Sequence, residues 1–86
     1  MFDEIREVKE VLLYLEKRGL VLSYQKAKKG LLSGNTHGLD FKMRQPKKYE
    51  IFQFRLTGKY RAFASIKNHD GKKVLVIHKI SDHQDS

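Results

Sequence analysis

Eighty-six residues without a cysteine leave room for one small core and exclude both disulfide staples and thiolate metal sites. No apolar run approaches the roughly 18 residues of a membrane span, and the acidic N-terminus is unlike a signal peptide, so a single soluble, cytoplasmic domain over residues 1–86 is expected. The net charge of +8 is concentrated: residues 1–19 hold four Lys/Arg against five Asp/Glu, residues 20–61 ten against two, and residues 62–86 four against three.

Such a field attracts polyanions, chiefly nucleic acid, and acidic partner proteins. The clustering exceeds what solubility alone requires.

In chain order, the 3-4-3 spacing of Ile5, Val8, Leu12 and Leu15 predicts a helix over Asp3 to Lys17. Asp3, Glu4 and Glu7 would suit its first turns, Lys17 and Arg18 its last, and Gly19 the position just beyond its end. A second helix follows from about Val21 to Ser33, with Leu20, Tyr24, Ala27 and Leu31 as its apolar stripe and Gln25, Lys26, Lys28 and Lys29 facing outward. Gly30 inside it costs up to about 1 kcal/mol relative to Ala. The Lys26-Lys28-Lys29 cluster reads as a solvated face or as a phosphate-facing edge. A short connection makes the pair an antiparallel helical hairpin.

Residues 33–38 read as a loop. Leu39 to Arg44 alternates weakly, as a half-exposed strand does, until Pro46 breaks it. Three strands complete the chain: Glu50-Leu56, Lys59-Lys67 and Lys72-Ile80, joined by a two-residue Thr57-Gly58 loop and a turn at Asn68-His69-Asp70-Gly71. Alternation puts Phe52, Phe54 and Leu56 on one side of the first, with Ile51, Gln53 and Arg55 on the other. In the second, Tyr60, Ala62, Ala64 and Ile66 oppose Arg61, Phe63 and Ser65. The third is apolar on both sides, Val74, Val76 and Ile80 against Leu75 and Ile77. The fold expected is therefore α+β: an N-terminal helical hairpin packed on a small antiparallel β-sheet of three to four strands. The hairpin covers one face, the other is expected to be an open surface containing some of Arg55, Arg61, His78 and Lys79, and the alternation leaves open which parity meets the helices.

The meander resembles the RelE/ParE superfamily of toxin–antitoxin toxins. The residues that carry the resemblance are Tyr49, Ile51, Phe54-Arg55, Gly58, Tyr60-Arg61-Ala62-Phe63, Val74-Leu75-Val76-Ile77 and Asp82-His83-Gln84, within residues 39–85. The resemblance implies a toxin of a type II pair, silenced by an acidic, helical antitoxin. Its RelE- and HigB-like branch implies a ribosome-dependent mRNA endoribonuclease that works without metal or other cofactor, through attack of the 2′-hydroxyl on the adjacent phosphate. Its ParE-like branch implies instead a toxin that binds a protein target such as gyrase. A non-catalytic, basic nucleic-acid-binding module is the third reading.

Carried onto this sequence, the nuclease reading makes Arg61 the clamp on the scissile phosphate, Arg55 a second basic group, and His83 the general acid or base. Lys42, Arg44, Lys47, Lys48, Lys59 and Tyr60 are the expected nucleic-acid contacts. The chain departs from the nuclease pattern in placing Ile51 and Gln53 where lysines are usual, and in lacking a C-terminal tyrosine. The strand that usually precedes the first helix is also expected to be absent. The structural alternative for Arg61 is an ion pair with Asp40 or Glu50; for Tyr60 it is packing beside Phe52 or Phe63. His78 is expected to be a satisfied, partly buried histidine rather than a base, His37 and His69 loop residues, and no His pair has metal-ligand spacing.

Overall fold

The computed structural model describes residues 2–82. They form two helices and a five-stranded mixed sheet. In chain order the elements are β1 (Glu4–Glu7), α1 (Lys9–Lys17), α2 (Val21–Ser33), β2 (Lys42–Met43), β3 (Ile51–Arg55), β4 (Tyr60–His69) and β5 (Lys72–Asp82), with a 3-10 turn at Lys47–Tyr49 before β3. The spatial order is β1-β5-β4-β3-β2, in which β1 alone pairs in parallel. The expected α+β architecture is present, and the sheet is larger than the sequence suggested.

The added strand is a correction. Residues 4–7 are not the start of a helix but β1, registered Glu4↔Val74 to Glu7↔Ile77. Ile5 satisfies a helical spacing with Val8 and equally a strand alternation with Glu4 and Arg6. The free edge of β5 decides between them by offering a ladder of hydrogen-bond partners. Asp3 and Val8 extend that ladder, their N–H groups donating to the carbonyls of Lys73 and Ile77 at 2.9 and 3.2 Å. The acids expected at a helix N-terminus have other work. Asp3 accepts a bond from the Lys73 N–H at 2.7 Å, and Glu4 pairs with Arg6. Glu7 Oε2 accepts from Tyr24 Oη at 2.6 Å and Lys28 Nζ at 3.1 Å.

Both helices end in the same way. At the end of α1, Leu20 N donates to Leu15 O and Gly19 N to Glu16 O; at the end of α2, Asn35 N donates to Gly30 O and Gly34 N to Leu31 O. Gly19 and Gly34 adopt the left-handed φ, +68° and +82°, that this double-bonded termination needs. The stripe predicted for α2 is buried as expected: Leu20, Tyr24, Ala27 and Leu31. With Val11 and Leu15 of α1 they lie on the sheet face carrying Ile5, Phe54, Ala62, Ala64, Leu75, Ile77 and Ile80. Each large side chain buried there contributes roughly 1.5–3 kcal/mol.

The two hairpins differ from expectation in opposite senses. The β3–β4 connection is four residues, 56–59, between the end of β3 at Arg55 and the start of β4 at Tyr60. Thr57 Oγ1 holds the loop by accepting from Lys59 N and Tyr60 N, both at 3.2 Å. The β4–β5 turn is tighter, with Asp70 and Gly71 at φ +52° and +78° between the paired His69 and Lys72. Two consecutive positive φ angles mark the type I′ turn, whose twist matches that of the strands.

Within β5 the register shifts opposite Phe63/Ala64: Phe63 faces Lys79, but Ala64 faces Ile77. His78 is the extra residue of a β-bulge. The bulge moves Ile80 onto the helix side with Leu75 and Ile77 and leaves Val74 and Val76 on the other, so simple alternation assigned Ile80 to the wrong group. His78 itself is exposed rather than partly buried.

Candidate functional site on the open face of the sheet

The face turned away from the helices is assembled in rows across the strands. One row runs Lys42, Gln53, Phe63, Lys79. The next runs Arg55, Arg61, Ser81; continuing the β2–β3 register by two residues brings Asp40 to its end beside Arg55, and Arg55 N donates to Leu39 O at 2.6 Å. Cross-strand partners share a face, so Arg55 and Arg61 stand side by side. Ile51, Ser65, Val76 and Arg6 form a third row.

Arg61 is the most constrained cation on this face. Its side chain is only 18% exposed, and its Nη1 lies 3.9 Å from Asp40 Oδ2. That atom is buried, and no protein atom among the described residues accepts a hydrogen bond from it. The ion pair foreseen with Asp40 therefore exists as a long contact, and Asp40 is shared with Lys42 Nζ at 3.5 Å. A guanidinium keeps its charge under all ordinary conditions, so a buried, underpaired N–H makes the position receptive to an anion. Arg55, directly opposite, is exposed.

The other predicted site residues divide between the two faces and the sheet margin. Arg44 stacks its guanidinium on Phe63, 4.7 Å from the ring centre, on the open face. Lys42 lies in the neighbouring row. Lys47 and Lys48 sit on the exposed 3-10 turn after the cis Gln45–Pro46 bond, Lys48 over Tyr49. Lys59 bridges to Asp82 at 3.4 Å from the β3–β4 loop. Tyr60 points to the helix side and meets Tyr14 edge-on at 6.2 Å, so its packing partner is neither Phe52 nor Phe63 and it stands apart from Arg61. His83 lies outside the described residues. His78, in step with Val74 and Val76, stands on the open face with Nε2 2.6 Å from Ser65 Oγ. Lys79 reaches the same face through the bulge, and its pairing with Phe63 brings it into the Lys42 row. No group of three or more metal-ligating side chains occurs among the described residues.

Among solved structures, the YoeB/ParE toxin from Agrobacterium tumefaciens superposes with a TM-score of 0.69 over 93% of this chain and 98% of its own. The chain has a RelE/ParE-like toxin fold. No protein-family model matches its sequence, and no curated protein does. The sequence identity to the YoeB/ParE toxin is 9%, so what a RelE/ParE-like fold shares here is the path of the backbone. Chemistry has to be argued from the side chains of this chain.

None of the described helices is long and apolar enough to cross a membrane. On the uncovered sheet face, among the described residues, Arg55 and Arg61, Phe63 under Arg44, an exposed imidazole and additional lysines lie together.

Proposed function

We propose that this protein is the toxin of a type II toxin–antitoxin pair and that it cleaves mRNA in the translating ribosome. The observation that carries the reading is the Arg55–Arg61 pair on the open face, with Arg61 Nη1 buried and underpaired. A bridging phosphate supplies two oxygens to a guanidinium fork, and Arg61 would stabilise the additional negative charge as the 2′-oxygen attacks phosphorus. The 2′-hydroxyl gives up its proton, the bond from phosphorus to the 5′-oxygen breaks, and that oxygen takes a proton as it leaves. The products are a 2′,3′-cyclic phosphate and a 5′-hydroxyl end. His83 is the expected acid–base group, and Arg44 on Phe63, Lys42, Lys47, Lys48 and Lys59 are the expected backbone contacts. The +8 charge suits an acidic antitoxin as the silencing partner.

One observation favours a second reading. Ile51, Phe63 and Val76 give the open face an apolar floor, and a ParE-like toxin with a protein target such as gyrase would use it for docking. Inducing the protein in growing cells separates the two. The nuclease reading expects growth arrest with cuts confined to translated messages, both relieved by Arg61→Ala. Arrest with intact mRNA and broken chromosomes would move the assignment to the gyrase-directed class. Absence of arrest, combined with salt-sensitive RNA binding, would reduce the protein to a binding module.

A further inference from the structure

The three lysines of α2 do not share one environment. Lys28 turns toward β1 and pairs with Glu7. Lys26 and Lys29, one helical turn apart, instead line two adjoining clefts between α2 and the loop that follows it. One, of about 310 Å³, is bounded by Ser23, Lys26, His37, Leu39 and Arg55. The other, of about 250 Å³, is bounded by Lys26, Lys29, Ser33, Asn35 and His37. Among the described residues no Asp or Glu lines either one. Asp40, the nearest acid along the loop, is engaged with Lys42 and Arg61 on the other side of the sheet edge.

The clefts are held in shape by a close backbone contact. Asn35 N bonds Gly30 O at 2.8 Å, and a Cβ on Gly30 would stand 2.6 Å from Asn35 O. Glycine at 30 is therefore what allows the loop to fold back and present His37 opposite Lys26. Lys26 shares the first cleft with Arg55 and the second with Lys29; these like charges repel one another, an anion would relieve that repulsion, and the His37 ring adds a polar group to both clefts.

We propose that this paired cleft is a second phosphate subsite that takes the backbone of single-stranded RNA. Arg55 belongs both to the cleft and to the Arg55–Arg61 row, so the strand would pass over the sheet edge from the open face into the groove beside α2. The inference rests on the RNA-directed reading above and adds the path of the substrate beyond the scissile phosphate.

The test is fluorescence anisotropy with a 2′-O-methyl RNA twelve-mer, which cannot be cut, and a trimer of the same chemistry. Lys26→Gln/Lys29→Gln should weaken the twelve-mer about tenfold at low salt and leave the trimer unchanged. It should also flatten the dependence of log affinity on log salt by roughly 1.4, from two lost single-strand phosphate contacts. Lys72→Gln/Lys73→Gln, at the distant β4–β5 turn, removes equal charge and should change the twelve-mer little. Equal losses from both double variants would leave only a general field and overturn the subsite. Weakening by Arg61→Ala without weakening by the α2 variant would overturn it too while leaving the RNA-directed reading intact. Failure of the unsubstituted protein to bind the twelve-mer overturns the strand path, and growth arrest with mRNA cutting then judges the nuclease separately. Binding of free ADP that depends on Lys26 and Lys29 and displaces no RNA would assign the cleft to a nucleotide instead.

Discussion

The same three strands build both faces of the sheet, and the two faces are constrained in different ways. Toward the helices, Phe54, Ala62, Ala64, Leu75 and Ile77 have no exposed surface at all. The small alanines of β4 lie on that face between the larger buried residues of β3 and β5. Toward the other side the same strands carry Arg55, Arg61, Ser65, His78 and Lys79, with Arg44 stacked on Phe63. Burial on one side supplies the stability, and that leaves the other side free to hold like charges together. Stability and ligand binding should therefore separate cleanly by face.

The largest effect expected on that separation is from Phe54→Ala. Removing a fully buried aromatic should cost about 3–5 kcal/mol, a large part of the stability of a domain this size, and thermal denaturation should show it directly. Arg61→Ala should change the same curve by less than about 1 kcal/mol, because Asp40 is partly exposed and keeps Lys42. A melting loss from Arg61→Ala comparable with that of Phe54→Ala would mean the open face is structural after all.

Gly30→Ala comes next. In an ordinary helix interior the change stabilises by up to about 1 kcal/mol, but the new Cβ would meet the backbone oxygen of Asn35 at 2.6 Å. The expected outcome is a loss of roughly 1–3 kcal/mol on chemical denaturation. A gain would show that the loop after α2 can move off without cost.

Tyr24→Phe should cost about 1–2 kcal/mol at neutral pH through the lost bond to Glu7. Burial, followed by that hydrogen bond and the Glu7 charge, raises the Tyr24 pKa well above the ordinary tyrosine value. The sign follows from linkage. Unfolded tyrosine ionises near about pH 10, while the folded group resists, so its contribution is complete below that pH and declines above it. Stability measured from pH 8 to 11 should fall more shallowly in Tyr24→Phe than in the parent; parallel curves would contradict the assignment. The smallest effect is expected from Lys59→Ala, whose exposed pairing with Asp82 is worth under about 0.5 kcal/mol.

Much of this arrangement is legible in the residues, for local reasons. The stripe Leu20, Tyr24, Ala27, Leu31 and the glycines at 19 and 34 define α2 and both helix ends without reference to the rest of the chain. Asp70-Gly71 likewise specifies its turn. What is not legible depends on partners far away in sequence. Residues 4–7 fit two periodicities, and only β5 chooses between them. The bulge at His78 breaks no compositional rule, yet it reverses the facing of everything after it. At the candidate site, Arg55 and Arg61 are readable because a motif and a short hairpin bring them together. The lysine cluster of α2 is visible in the sequence too, but the meeting of Lys26 and Lys29 with His37 is not, since it depends on a loop closing over Gly30.

The pairing of β1 with β5 has a consequence in time. Asp3 and Lys73 exchange bonds across a separation of 70 residues, so β1 has no partner until most of the domain has been made. Both α-helix ends and the β3–β4–β5 meander close over far shorter loops and need not wait for it. The first strand is thus expected to act as a clasp that fastens last. In pulse-labelled hydrogen exchange during refolding, the amides of residues 4–8 should gain protection after those of β4 and β5, and simultaneous protection would show that the chain folds without that final step.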